Sequence, residues 1–151
     1  MRLVIAAALA LLIPASLVAQ TISDLSTATP IGGSWSYAAT GDGSEASFSN
    51  ASGAVQLTVH CTRATRRVSI AKAASTAAPL LNVWTSSLTR SVPSAFNPAT
   101  GRLTIGLAPY DPLLDALATS RGRIGFSVGT EPPLVVPAWP EAARVIEDCR
   151  A

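Results

Sequence analysis

Few residues of this 151-residue chain have types and spacings that could do chemistry. Gly125-Phe126-Ser127-Val128-Gly129 matches the G-x-S-x-G pattern of the serine-hydrolase nucleophile elbow, where a serine on a sharp strand-to-helix turn is activated by a histidine further along the chain. No histidine follows Ser127, and Thr130-Glu131-Pro132-Pro133 stands where the helix should begin. Alternation also places Ser127 on the polar face of a strand. The only histidine, His60, is next to Cys61. Neighbours in a strand point to opposite faces, so the two do not form a thiol with its base. One histidine without a tight His/Cys/Asp cluster also supplies too few ligands for zinc or copper, and His60 reads as an exposed surface residue. The expectation is no metal and no cofactor.

Asp111 and Asp115, four apart, could present two carboxylates to a sugar. Local structure accounts for both, Asp111 as a helix N-cap and Asp115 as a first-turn charge that suits the helix dipole. Three Trp, two Tyr and three Phe are also a thin supply of platforms for a glycosidase cleft. The densest charge feature is Arg63, Arg66, Arg67 and Lys72, the candidate binding surface, able to grip a phosphate, an acidic polysaccharide or the acidic face of a partner. A solvated loop after a strand explains it equally well. Arg121, beside Gly122, is favourable at a helix C-terminus by dipole alone. No catalytic constellation emerges, so the chain reads as a non-enzyme.

The elements that position these residues are easier to read. Val55, Leu57, Val59 and Cys61 alternate with Gln56, Thr58 and His60, so a strand puts Cys61 on its apolar face. Ala142, Val145, Ile146 and Cys149 follow i, i+3, i+4, i+7 spacing, so a helix turns Cys149 inward too. A Cys61–Cys149 bridge would staple the C-terminal helix to the sheet and close a loop of about ninety residues, worth about 4–5 kcal/mol in the chain-entropy account. Such a bridge needs an oxidising compartment, and the N-terminus points to one. Arg2 is a short positive n-region, Leu3 to Ile13 an apolar stretch of secretory length, and Leu17-Val18-Ala19 before Gln20 a cleavage site. The stretch is short for a membrane span and broken by Pro14; an uncleaved anchor is the alternative. Neither cysteine is near the cleavage site, which argues against a lipoprotein. Periplasmic or secreted protein is expected, touching membrane only through residues 1–19.

The remaining length suits one domain. Removing Arg2 from the eleven basic residues leaves ten against nine acidic ones, so net charge gives no case for nucleic acid or an anionic membrane as partner. Residues 20–31, rich in Ser and Thr, read as a leader, and 32–151 as the domain. Trp35 and Tyr37, the Gly41-Asp42-Gly43 turn and Glu45 to Ser49 predict a hairpin. Strands follow over Val55–Cys61, Arg67–Ala71, Leu80–Thr85, Arg102–Leu107, Ile124–Val128 and Leu134–Val136, with the state of Ala71–Pro79 open. Helices are predicted from Pro112 until Gly122 ends the first, and from Pro140 onward. The fold class is mainly β or α+β, an antiparallel β-sandwich or partly open barrel with two short helices.

Asp111-Pro112-Leu113-Leu114-Asp115-Ala116-Leu117-Ala118, Ser120-Arg121-Gly122-Arg123, Pro137-Ala138-Trp139-Pro140-Glu141 and Arg144-Val145-Ile146-Glu147-Asp148-Cys149-Arg150 resemble uncharacterised exported proteins of alphaproteobacteria, of sphingomonad type. More remotely, the order helix, strand, strand, closing helix is similar to the invasion-associated locus B family. The resemblance implies an envelope setting and carries no functional residue. The favoured function is a non-catalytic binding or inhibitor-like module that contacts a protein or cell-envelope component. The alternative is a small envelope hydrolase using Ser127 or the Asp111/Asp115 pair.

Overall fold

The computed structural model describes residues 23–151, so the expected signal peptide, Met1–Ala19, lies outside the described residues. The first sheet contains β1 (Gly33–Ala39), β2 (Gly43–Asn50), β3 (Val55–Thr62), β4 (Arg67–Ala73), β7 (Ala95–Asn97) and β8 (Arg102–Leu107), in the order β1-β2-β3-β4-β8-β7. The second contains β5 (Leu80–Trp84), β6 (Thr89–Pro93), β9 (Arg123–Ser127) and β10 (Leu134–Pro137), in the order β10-β9-β5-β6. All pairings are antiparallel and neither sheet closes into a barrel.

Register explains the core. Across the first sheet Trp35, Phe48, Leu57, Lys72, Leu103 and Phe96 form one cross-strand row, and Tyr37, Ala46, Val59, Ile70 and Ile105 the next. Every second residue of a strand shares a face, so these rows make the inner side while Ser36, Ser47, Thr58, Ala71 and Thr104 make the outer. The second sheet contributes Leu81, Val83, Ile124, Phe126 and Val136 to the same core.

Helix α1 (Pro112–Ala118) starts as predicted: Asp111 accepts from the Leu113 amide at 2.8 Å, and Pro112 fills a first-turn position that needs no N–H donor. It stops earlier than Gly122. The Thr119 hydroxyl donates to the Asp115 carbonyl, and the Ser120 hydroxyl donates to the Arg123 carbonyl while accepting from the Ser86 amide, so the chain is drawn off toward β9. Helix α2 (Pro140–Asp148) buries Ala142, Val145 and Ile146 and lies against β1, β2, β3 and α1. Its C-cap, Cys149, is bonded to Cys61 of β3, with Cα atoms 5.5 Å apart across a sequence separation of 88. The bridge links the helix to the sheet as the two apolar faces predict.

Two expectations need correction. Residues 23–31 are not a free leader: Leu25 is buried against Gly125, the Ile31 amide donates to the Val135 carbonyl, and the Arg123 guanidinium donates to the Ala28 carbonyl. One leucine in a Ser/Thr-rich stretch leaves no periodicity from which to read this strap. Strands β6 and β7 are also additional to the predicted set; Thr89-Arg90-Ser91-Val92-Pro93 has only Val92 buried, too little alternation to register.

The strap explains the glycine that opens the hydrolase-like motif. A Cβ on Gly125 would meet the end of the Leu25 side chain, which would have to move from its seat for any other residue to stand there. Gly125→Ala is expected to displace Leu25, cost about 1–3 kcal/mol, and open residues 23–31 to limited proteolysis. An unchanged thermal midpoint with an intact strap would contradict this packing.

Candidate functional site

A concavity lined by aromatic and charged side chains lies where β1 meets α2. Hairpin geometry leaves β1 half-paired: Thr40 and Gly43 exchange backbone hydrogen bonds around the Gly41-Asp42 turn, so in the following register Ala38, Ser36 and Ser34 turn theirs toward β2. The N–H and C=O groups of Trp35, Tyr37 and Ala39 therefore point outward, and β1 is a terminal strand of its sheet. Among the described residues no backbone partner takes them up.

Beside this edge is a groove of about 440 Å³ lined by Trp35, Ser36, Tyr37, Pro140, Glu141 and Arg144. Each wall is fixed by a contact between distant parts of the chain. The Trp35 indole N–H donates to the Pro137 carbonyl at 2.8 Å, setting the start of α2 beside it, and its ring meets Phe48 edge to face with centroids 5.6 Å apart. The Tyr37 hydroxyl donates to Asp148 Oδ2 at 2.6 Å. That bond is the main cause holding the Asp148 carboxyl below its ordinary value, with burial opposing it and Arg144 and Arg63 assisting. The Arg144 guanidinium stacks 3.8 Å over the Tyr37 ring and makes no ion pair with a described carboxylate. Glu141 Oε2, in the first turn of α2, is buried without a hydrogen-bond partner among the described residues. Trp139, 45 % exposed, stands just before α2.

The basic cluster named from sequence is not one surface. Arg63 and Arg66 stay at the β3–β4 turn, where Arg66 has φ 52° and donates to the Ala151 carbonyl at 2.9 Å. Arg67 lies on the outer face of the sheet with its guanidinium over Gly106. Lys72 is five residues further along β4 on the opposite, inner face, only 7 % exposed; it donates to the Ala73 carbonyl and lies 4.0 Å from Glu131. Five residues is an odd number of steps in a strand, which is why Arg67 and Lys72 part company.

Burial is the dominant influence on the Lys72 ammonium and pushes its pKa down, with Glu131 pulling the other way. A lysine depressed in the folded state makes stability rise with pH between that lowered value and the ordinary 10.5, because there the unfolded chain binds more protons. Lys72→Met is expected to stabilise the protein by about 1–2 kcal/mol near neutral pH. The gain should shrink as pH climbs through that window, as followed by urea unfolding. A loss of stability instead would mean that the ammonium's bonds outweigh its burial.

The other named residues also separate. Ser127 closes β9 opposite Asn82, and a turn followed by β10 comes after it, so no strand-to-helix elbow forms there. Asp111 accepts from Arg90 at 2.9 Å while Asp115 pairs with Arg150 at 2.8 Å, so the two carboxylates serve different partners. Burial works to raise the Asp111 carboxyl, but Arg90 and the Leu113 amide outweigh it and hold it below its ordinary value. His60 is less free than a surface residue: Nε2 is 3.1 Å from Asp42, and Nδ1 is 3.5 Å from Glu45 without a hydrogen bond. Among the described residues no group of three or more His, Cys, Asp or Glu is placed to hold a metal ion.

Trp35, Tyr37, Glu141 and Arg144 were not singled out by sequence reasoning. Glu141 and Arg144 carry one readable sign, their i, i+3 spacing on the polar side of an amphipathic helix. The Trp35–Pro137 and Tyr37–Asp148 bonds that bring α2 beside β1 span sequence separations of 102 and 111, which no local pattern encodes. No protein-family model, curated protein or solved structure matches the chain.

Proposed function

We propose that this protein is a non-catalytic binding module of the alphaproteobacterial cell envelope, exported by its N-terminal signal peptide, that engages another protein through the groove between β1 and α2. The observation that carries this reading is the condition of the β1 edge. Sheet edges are ordinarily protected by charge, proline, brevity or a covering segment. Among the described strands, β7 has three residues, β6 carries Arg90 and Pro93, and β10 carries Pro137 and is partly covered by Ile31. β1 has seven residues, none charged and none proline, and opens onto aromatic rings and two charged side chains. Aromatic and arginine side chains are the types enriched where proteins bind one another. A disulfide is compatible with a non-cytoplasmic location, and no described helix is long and apolar enough to cross a membrane.

The test uses immobilised, oxidised protein and envelope extract from the native organism. Retention of a defined protein by the wild type and by Arg63→Glu/Arg66→Glu, lost in Arg144→Glu, supports the reading. Retention that survives Arg144→Glu, or that follows the Arg63/Arg66 turn, overturns it, as does the absence of any retained protein.

A further inference from the structure

The chemistry of the groove specifies how a partner would occupy it. We infer that the partner supplies an extended segment that adds to β1 as a seventh, antiparallel strand, placing an acidic side chain against Arg144 and a basic one against Glu141 with one residue between them. This rests on the groove being the binding surface, and adds the mode of binding and the class of peptide.

The backbone sets the mode. The outward groups of Trp35, Tyr37 and Ala39 repeat at every second residue, which is the spacing an added strand satisfies, and the first sheet is antiparallel throughout. The side chains set the class. Residues of the added strand opposite Trp35 and Tyr37 point to the α2 side of the sheet, as those two do, so exactly alternate side chains of the segment enter the groove. Helix α2 starts beside Trp35, through the Trp35–Pro137 bond, and crosses the sheet toward Cys61 of β3, passing Tyr37, whose ring lies under Arg144 and whose hydroxyl bonds Asp148. The position opposite Tyr37 thus meets the stacked Arg144 guanidinium, which has no ion pair among the described residues, and the position opposite Trp35 meets Glu141, whose Oε2 has no hydrogen-bond donor among them. In antiparallel order the residue facing Tyr37 comes first, so the segment reads acid, any residue, base.

Two end-blocked peptides serve as probes, Thr-Thr-Glu-Thr-Lys-Thr-Thr and its charge-reversed form Thr-Thr-Lys-Thr-Glu-Thr-Thr, titrated into the full exported chain by calorimetry and amide chemical-shift mapping. The Glu-first peptide is expected to bind about tenfold more tightly than the reversed one and to shift the Trp35, Tyr37 and Ala39 amides. Ala39→Pro removes an outward N–H and leaves the β1–β2 ladder intact, and should weaken binding about tenfold. Glu141→Lys/Arg144→Glu should invert the preference; it needs no change in β1, so it decides the matter if the proline variant folds poorly. Equal binding of the two peptides, or shifts confined to other surfaces, overturns the inference. Lack of binding by either peptide, with envelope retention still lost in Arg144→Glu, overturns strand addition while leaving the groove as binding surface; loss of both removes the reading beneath it. A concentration-dependent dimer of the chain alone, abolished by Ala39→Pro, also overturns it by assigning the edge to a second copy.

Discussion

Cys61→Ser, Cys149→Ser and the double substitution are each expected to destabilise the folded protein by about 4–5 kcal/mol, the chain-entropy value for a cross-link spanning this length of chain. For a domain of this size that is a fall in thermal midpoint of roughly 12–20 °C. The three effects should be nearly equal rather than additive, because each removes the same bond. Structure makes this cross-link matter beyond entropy. Helix α2 has nine residues, and its N-cap, Trp139, makes no side-chain capping bond, so the helix is held by its apolar face, the Tyr37–Asp148 bond and the bridge at its C-cap. Releasing Cys149 frees the wall that carries Glu141 and Arg144, and the groove should loosen before the sheets separate. Urea unfolding of oxidised and reduced protein measures the effect. Two reactive thiols in protein isolated from the envelope, or a double mutant twice as costly as either single one, would contradict it.

Phe48→Ala is expected to cost about 3–5 kcal/mol, the range for deleting a buried aromatic ring. Phe48 is fully buried toward the end of β2, between Trp35 and Leu57 in the inner row, and its ring supports the Trp35 indole edge to face. Such a contact adds about 0.5–1.5 kcal/mol to the burial itself. The substitution therefore acts on stability and site together: without the ring, Trp35 loses its support and the floor of the groove shifts. Phe48→Leu keeps most of the volume and should cost distinctly less. Denaturation followed by tryptophan fluorescence reads both, since Trp35 is one of three tryptophans and the one in contact with Phe48. A cost of less than about 1 kcal/mol for Phe48→Ala would mean that this row is not packed as described.

Period and punctuation made much of the fold legible. The alternation through Leu103, Ile105 and Leu107 gives β8 to the residue, the Gly41-Asp42-Gly43 turn gives the first hairpin, and Asp111-Pro112 gives the start of α1. Two cysteines, an export signal and the inward facing of both thiols together gave the Cys61–Cys149 pairing. Failures came where single residues or side-chain bonds decide. Leu25 anchors a strap by filling the space above one glycine, and Thr119 and Ser120 end α1 through hydroxyl bonds that compete with the helix, neither of which has a periodic trace. The site was the least legible part. Charge density drew attention to Arg63, Arg66, Arg67 and Lys72, but strand alternation sends Arg67 and Lys72 to opposite faces. The groove instead depends on which strand ends the sheet and which helix lies beside it, and that is a matter of topology.

The most direct test of the groove as a protein-binding surface is site-specific photo-crosslinking in the native cell envelope. A photoreactive side chain at Ala39, on the free edge of β1, is predicted to capture a defined partner, and one at Ala95, on the short edge strand β7 across the same sheet, to capture none. Equal capture at both positions, or none at Ala39 in correctly exported and oxidised protein, would contradict the account.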